Sequence, residues 1–205
     1  DGYKSKGSFN LCYVSELKGT TLTYVLSYII PSWDRESMSD YKYSEAEDYE
    51  DLAFRGDLEL KTTNNSAIKA AFDLADKEVI EKSSKIYVVA NFDEYESELK
   101  IRDQLVSIND NKFNTMQEYS DYIQKYNDGD FVKVKVIRDK KEVELNCRIY
   151  EEEGRKIFGI MLMIDRKYET DPKVNISFRA SESGPSGGLI TALEMYNEKK
   201  KKDIS

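Results

Sequence analysis

A serine between glycines near the end of the sequence has the setting in which nucleophilic serines are usually displayed. Residues 174–178 alternate apolar and polar side chains and predict a short strand, and Leu189 begins a run with the spacing of an amphipathic helix. Between them, residues 184–188 read Gly-Pro-Ser-Gly-Gly and predict a tight turn with Ser186 at its centre. The glycines leave room for a substrate carbonyl, and the N–H groups near Ser186 and Gly187 would be the donors to an oxyanion. The same pattern suits a loop that only caps a helix, and the stretch by itself does not choose between the two.

The absence of histidine from the sequence narrows the chemistry that this serine could perform. Ser-His-Asp and Cys-His catalysis, and most zinc sites, need an imidazole. A serine nucleophile in this chain would need another base, and lysine is the known alternative. We therefore predict no metal site and no cofactor. The two cysteines, Cys12 and Cys147, are far apart and each lies in a strand-like run, which favours two buried thiols over a disulfide.

Charge and hydropathy argue against other classes of function. The 205 residues carry a net charge of −8, with 34% charged and 40% apolar residues. Such an acidic surface argues against nucleic-acid binding, which needs a basic face. No run approaches the roughly 18 consecutive apolar residues of a membrane-spanning helix. The sequence begins with Asp1 and not with methionine, which indicates a processed or shortened form that could have lost a signal or an anchor.

The segment before residue 80 carries two further signals. Residues 37–57 are rich in Tyr, Asp and Glu and lack apolar periodicity, which predicts a solvated helix or loop more readily than a metal site. Residues 62–65 read Thr-Thr-Asn-Asn and predict the start of a helix. The apolar residues that would form the buried face of this helix are Ile68, Ala71, Phe72 and Ala75.

Residues 83–151 have the pattern of a compact β-rich module. Residues 86–89 form a short β-branched run, and Asn114 or Thr115 begins a helix that carries apolar and aromatic residues on one face. A run that alternates valine with lysine follows, and then a run that alternates Val143, Leu145, Cys147 and Ile149 with charged or polar residues; together they predict a hairpin whose outer face pairs opposite charges.

Residues 99–111, LKIRDQLVSINDN, resemble the signature of bacterial PDZ domains. The match departs from the usual pattern at Glu98 and Arg102, where glycine is common. PDZ domains bind extended peptides by strand addition between one strand and a helix. The resemblance implies that residues 86–89 are the accepting strand and that the loop at 82–85 holds a peptide carboxylate. The implied peptide-binding residues are Ser84, Lys85, Ile86, Tyr87, Val88 and Val89, with Tyr119 and Ile123 placed equally well in the groove or in the core.

Residues 184–189, GPSGGL, resemble the GPSAGL signature of Lon-type proteases. The helix that follows is similar to that of Lon-like peptidases with an internal PDZ domain and a membrane anchor. The resemblance implies that Ser186 is the nucleophile and that a neutral lysine is its base. Ser183 stands where an acid is frequent, so no acidic partner is implied. The family's lysine would lie beyond Ser205, and we therefore expect this chain alone to hydrolyse little or nothing.

These observations predict an α/β fold: a partial Lon-type protease domain of α+β character with a β-rich PDZ domain inserted in it. The predicted boundaries are residues 1–80 for the first protease part, 81–152 for the PDZ domain and 153–205 for the segment with the nucleophile. The predicted function is ATP-independent serine endopeptidase action on extracytoplasmic proteins or peptides, since no phosphate-binding loop is present.

The resemblance implies that the parent protein is anchored at the extracytoplasmic face of the cell membrane by a segment missing here, and it is compatible with a homo-oligomer. Two alternatives remain open from the sequence. One is a non-catalytic PDZ adaptor that binds peptides, and the other is a protease of the tail-specific type.

Overall fold

The structure is a computed structural model that describes residues 18–171, 173–174 and 188–200, with side chains described as far as Asn197. These residues form a mixed α/β arrangement. The helices are α1 (Thr21–Leu26), α2 (Tyr49–Leu74), α3 (Met116–Ile123) and α4 (Gly188–Lys200), with a 3₁₀ turn at Met38–Tyr41. The strands are β1 (Val79–Asn91), β2 (Gln104–Ile108), β3 (Phe131–Arg138), β4 (Lys141–Arg148), β5 (Tyr150–Glu152), β6 (Arg155–Ile157) and β7 (Ile160–Thr170). None of the described helices has the length and hydropathy to span a bilayer.

Five antiparallel strands form one sheet in the order β4-β3-β2-β1-β7, and β5 pairs with β6 in a separate hairpin. The sheet packs one face against α3, and the residues between them form the main core. That core contains Ile86, Val88, Leu105, Ile108, Val132, Val134, Val136, Cys147, Ile149, Phe158 and Ile164, with Tyr119 and Ile123 from α3. The hairpin predicted from alternating valines is confirmed as β3 and β4, and Lys133 Nζ lies 3.1 Å from Glu144 Oε1 across its outer face.

Helix α3 begins where its sequence predicts. The Thr115 hydroxyl accepts the N–H of Glu118 at 3.1 Å, and the Glu118 carboxylate accepts the N–H of Asn114 at 2.8 Å. Local capping groups therefore fix the start of the helix that faces the sheet.

Helix α2 begins at Tyr49, much earlier than the start predicted at residues 62–65. The Asp48 carboxylate accepts the N–H of Asp51 at 2.9 Å, and the Asp51 carboxylate accepts the N–H of Asp48 at 3.2 Å. This reciprocal capping satisfies two N–H groups that a helix start leaves unpaired. The acidic residues that made this segment resemble a solvated loop include the cap of a long helix.

Arg55 anchors α2 to the sheet. Its guanidinium is buried, and it donates to both carboxylate oxygens of Glu47 at 3.1 Å. It also donates to the carbonyl oxygens of Tyr41 at 2.5 Å and Val89 at 3.3 Å. Val89 lies at a β-bulge of β1, where the register with β7 shifts, so its carbonyl is available to the helix. A buried ion pair thus fixes the position of α2 on the face of the sheet opposite α3.

Arg102 joins the first turn of α2 to the turn that precedes β2. Its φ of +77° is a left-handed conformation that favours glycine, which is the residue common at this position in the modules that residues 99–111 resemble. Its guanidinium lies 2.8 Å from Asp51 and 3.6 Å from both Asp48 and Glu50. The departure from glycine therefore supplies ion pairs to the start of the helix.

Helix α4 packs on α2 through small residues. Ala67 and Ala71 of α2 are buried against Ala192, and Met195 packs on them. The apolar face predicted for this helix from Leu189 onward is wrong in part, because Leu189 is 70% exposed. The contact depends on the small volume of alanine, which hydropathy alone does not single out.

Burial controls the chemistry of Cys147, which is a free thiol in the core. Burial raises the pKa of Cys147 from its ordinary 9.0 to about 12. In the unfolded chain the thiol ionises above about pH 9, whereas in the folded chain it keeps its proton to about pH 12. We expect the stability contributed by this thiol to be lost as the pH rises from about 9 to about 12.

The measurement is alkylation by iodoacetamide in a Cys12→Ser background, followed against pH in native buffer and in denaturant. The unfolded thiol is expected to react faster as the pH passes 9, and the folded thiol is expected to remain protected. Rapid alkylation of the folded protein near pH 9 would contradict the burial of this side chain. Cys12 lies outside the described residues.

Candidate peptide-binding groove

A groove lies between α3 and the edge strand β7. It encloses a cavity of about 400 Å³, a volume within the usual range for ligand sites. Its apolar lining comes from Met116, Tyr119, Ile123, Ile157, Phe158, Ile160 and Leu162, and its polar lining from Gln117, Ser120, Gln124, Arg155 and Lys156. The groove therefore combines a mostly apolar floor with charge at one place among its described lining residues, strand β6.

Two hydrogen bonds between Gln124 and Lys156 show how α3 and β7 run relative to each other along the groove. The Gln124 side chain, just after α3, donates to the carbonyl of Lys156 at 3.1 Å and accepts the N–H of Lys156 at 3.0 Å. The end of α3 is thus tied to β6, the strand that comes just before β7. The end of α3 lies beside the segment that precedes β7, and Met116 at the start of α3 lines the same groove as Leu162 farther along β7. Helix α3 and strand β7 therefore run in opposite directions along the groove.

The end of the groove beside β6 carries positive charge and a constrained glycine. Lys156 pairs with Glu151, whereas Arg155 is exposed and makes no ion pair with any described residue. Gly159 has a φ of +67°, and a Cβ added there would lie 2.5 Å from Cγ of Tyr95. Only glycine fits this approach, so the loop has one well-defined course into β7.

The backbone of β7 offers unpaired groups along the groove. Val88 of β1 donates to the Asp103 carbonyl and accepts from the Arg102 N–H on its β2 side. Val88 stands opposite Leu162, so the N–H and carbonyl of Leu162 point away from β1. The Gly159 carbonyl accepts the N–H of Phe92 on the β1 side, so the backbone N–H and carbonyl of the next residue, Ile160, also point away from β1. An extended peptide could therefore pair with Ile160 and Leu162.

The predicted accepting strand at residues 86–89 is wrong. Ile86 and Tyr87 pair with β2 on one side and with β7 on the other. The N–H and the carbonyl of Val88 both bond on its β2 side, Leu162 of β7 stands opposite it on the other side, and the Val89 carbonyl accepts from Arg55. A strand with both edges occupied has no groups left for a peptide.

The loop predicted to hold a carboxylate is also misplaced. Ser84 and Lys85 are strand residues opposite Arg166 and Asp165, toward the far end of β7 from the loop at 155–159. The Ser84 hydroxyl donates to the Asn114 carbonyl at 3.3 Å, so it is engaged in the structure. The physical reason for both errors is that β7, a later strand, pairs with β1 and takes the edge of the sheet.

Tyr119 and Ile123, which the sequence placed equally well in the groove or in the core, belong to both. Each is buried in the main core, and each also lines the groove. Burial raises the pKa of the Tyr119 phenol, so its hydroxyl stays neutral over the ordinary range of pH. Both side chains thus contribute apolar floor and no charge.

The candidate nucleophile Ser186 and its neighbour Gly187 lie outside the described residues, as does most of the strand predicted at 174–178. The description resumes at Gly188, where α4 begins. Within the described part of the chain, no three His, Cys, Asp or Glu side chains cluster in a way that could hold a metal ion. The absence of a metal and of a cofactor stays a prediction.

Residues 155–159, which lie at one end of the groove, were not among the predicted site residues. The predicted boundary of the module, residue 152, excludes this segment. The signal that could have identified this segment is the order of residues 155–160, in which two basic residues precede an apolar-glycine-apolar step. The domain boundaries themselves stay a prediction, although β7 is hydrogen-bonded to β1 along its length.

Comparisons with known proteins agree on the module. Residues 64–149 match the family model described as PDZ domain. The chain is similar to the PDZ domain of the SdrC-like protein of Listeria monocytogenes, with 26% identity over 38% of this chain and 85% of that one and a TM-score of 0.35. It is similar to the corresponding domain of Listeria innocua, with 26% identity over 38% and 92% of the two chains and a TM-score of 0.36. No curated protein matches the sequence. The chain contains a PDZ domain.

Proposed function

We propose that this chain captures the carboxyl-terminal ends of peptides or proteins in the groove between α3 and β7. The observation that carries the proposal is the outward direction of the backbone groups of Ile160 and Leu162 beside an apolar cavity. A peptide antiparallel to β7 would place its carboxyl end at the start of the strand, next to residues 155–159. The exposed Arg155 guanidinium and the Ile160 N–H would receive the carboxylate.

The lining of the groove favours two apolar side chains in the bound peptide. Ile123, Phe158 and Ile160 surround the end near the loop, and Met116 and Leu162 lie toward the other end. Alternate residues of a strand face the same side, about 6.6 Å apart, so the last and third-last residues of the peptide would both enter the groove. The preferred sequence is therefore apolar, any residue, apolar, followed by the free carboxylate.

Binding of a fluorescein-labelled octapeptide ending in Leu-Ser-Val tests this function by fluorescence polarisation with the full chain. Amidation of the carboxyl terminus is expected to weaken binding about tenfold or more, because it removes the charge-assisted hydrogen bonds. Arg155→Glu is expected to weaken binding of the free acid in the same direction. The matched control is Lys141→Glu, which makes the same change of charge on β4 at the opposite edge of the sheet. Equal affinity for the acid and the amide would contradict carboxylate capture.

We propose further that, in the intact protein, the groove positions substrate for a serine peptidase with Ser186 as nucleophile and a lysine beyond Ser205 as base. The support is the GPSGGL motif, together with a helix that begins at Gly188 in the expected place after the motif. The same proposal places the intact protein at the extracytoplasmic face of the membrane, held by an anchor outside this chain. A non-catalytic PDZ adaptor is the competing proposal, and the PDZ match supports it equally.

Labelling of the intact protein with a fluorophosphonate separates these proposals. Labelling that disappears in Ser186→Ala would support the peptidase. Peptide binding with neither labelling nor turnover would support the adaptor.

A further inference from the structure

Helix α2 occupies part of the edge of β7 that a peptide would otherwise use. Ile86 of β1 stands opposite Ile164, and Ser84 stands opposite Arg166. Backbone groups alternate in direction along a strand, so those of Ile86 and Ser84 point toward the β2 side, as those of Val88 do. The carbonyls of their partners Ile164 and Arg166 therefore point to the outer edge of β7. These carbonyls continue the outward set that starts at Ile160.

Two side chains of α2 already bond these carbonyls. The Thr62 hydroxyl donates to the Ile164 carbonyl at 3.3 Å, and the Asn65 amide donates to the Arg166 carbonyl at 2.5 Å. The cleft that remains between helix and strand measures about 20 Å³, which is room for about one water molecule and not for a strand. The edge of β7 is therefore open at Ile160 and Leu162 and closed from Ile164 onward.

We propose that α2 ends the peptide groove after two pairing positions, so that the site reads only the last three or four residues of its ligand. This inference rests on the proposed capture of carboxyl-terminal ends. In an antiparallel peptide the last residue lies opposite Ile160 and the third-last opposite Leu162. The fifth-last residue would lie opposite Ile164, where Thr62 takes its place. Residues upstream of the fourth-last leave the sheet and contribute no main-chain hydrogen bonds.

Backbone N-methylation of the same octapeptide tests the inference, because each methyl group removes one N–H donor. Methylation at the third-last residue is expected to weaken binding about three- to tenfold or more, which is the loss of one hydrogen bond. Methylation at the fifth-last residue is expected to leave the affinity unchanged, and a tetrapeptide is expected to bind as tightly as the octapeptide.

A double variant assigns the closure to α2. In Thr62→Ala/Asn65→Ala the two carbonyls lose their donors, and methylation at the fifth-last residue is expected to begin to weaken binding. The matched control is Ser66→Ala, which changes a third residue of the same cleft that makes no bond to β7. Folding of each variant is checked by its thermal midpoint.

The outcomes separate the inference from the proposed function. If the parent octapeptide does not bind, the proposed function is wrong and the inference falls with it. If the octapeptide binds and the fifth-last N–H matters as much as the third-last in the unaltered protein, the groove is open past Leu162 and only the inference is overturned. If the double variant behaves like Ser66→Ala, the Thr62 and Asn65 side chains do not make the closure, and that assignment is overturned.

Discussion

Replacement of Glu47 by leucine is expected to destabilise the fold by about 3–5 kcal/mol, the usual cost of leaving one member of a buried ion pair without its partner. Glu47 is 2% exposed and Arg55 is 7% exposed, so the unpaired guanidinium could not regain its hydration without moving α2. The remaining acceptors, the carbonyls of Tyr41 and Val89, carry no charge that would compensate it. The loss is therefore larger than that of a surface pair.

Urea denaturation of three variants measures this effect. Asp57→Asn is the matched control, because Asp57 pairs with Lys61 at 2.6 Å on the same helix while both side chains are more than half exposed. Exposed pairs contribute about 0–1 kcal/mol, so this variant is expected to change stability little. The double variant Glu47→Leu/Arg55→Met removes both charges and is expected to recover much of the loss. A cost below about 1 kcal/mol for Glu47→Leu alone would show that the guanidinium reaches water.

The parts of the fold that the sequence predicted correctly depend on short-range signals. The β3–β4 hairpin follows from alternating valines, and the start of α3 follows from Thr115 and Glu118 three residues apart. In both cases the side chains that determine the structure are near neighbours in the chain. The physical rule that connects them, alternation in a strand or capping at a helix start, needs no knowledge of the rest of the molecule.

The position of the groove depended on a pairing between distant segments. Residues 86–89 have the composition of a strand, and that prediction is correct, but composition does not say whether a strand lies at an edge. The edge was decided by β7, which pairs with β1 from Val79 to Asn91. Thr62 and Asn65 also depend on a distant segment. Their side chains were interpreted as a helix cap, but they donate to carbonyls of β7 instead. The motif at Ser186 rests on sequence alone.

Replacement of Gly159 by alanine is expected to have the largest effect on peptide capture, because this residue shapes the loop that meets the peptide carboxylate. The φ of +67° costs a residue with a side chain about 1–3 kcal/mol. The added methyl group would also lie 2.5 Å from Cγ and 2.7 Å from Cδ2 of Tyr95, and such overpacking costs about 1–3 kcal/mol more. We expect a loss of stability of about 2–6 kcal/mol, and a loss of octapeptide affinity of more than about tenfold as the loop shifts.

A second glycine of the same region separates the two causes. Gly154 has a φ of +78°, but a Cβ built on it meets no atom within 4 Å. Gly154→Ala therefore carries the conformational cost without the clash, and it is expected to destabilise by about 1 kcal/mol and to leave octapeptide affinity nearly unchanged. Tyr95→Gly in the Gly159→Ala background removes the atoms that clash, so it is expected to restore part of the affinity. Urea midpoints and polarisation titrations measure both quantities, and equal effects of the two alanine substitutions would show that the close approach of Gly159 to Tyr95 does not hold the loop.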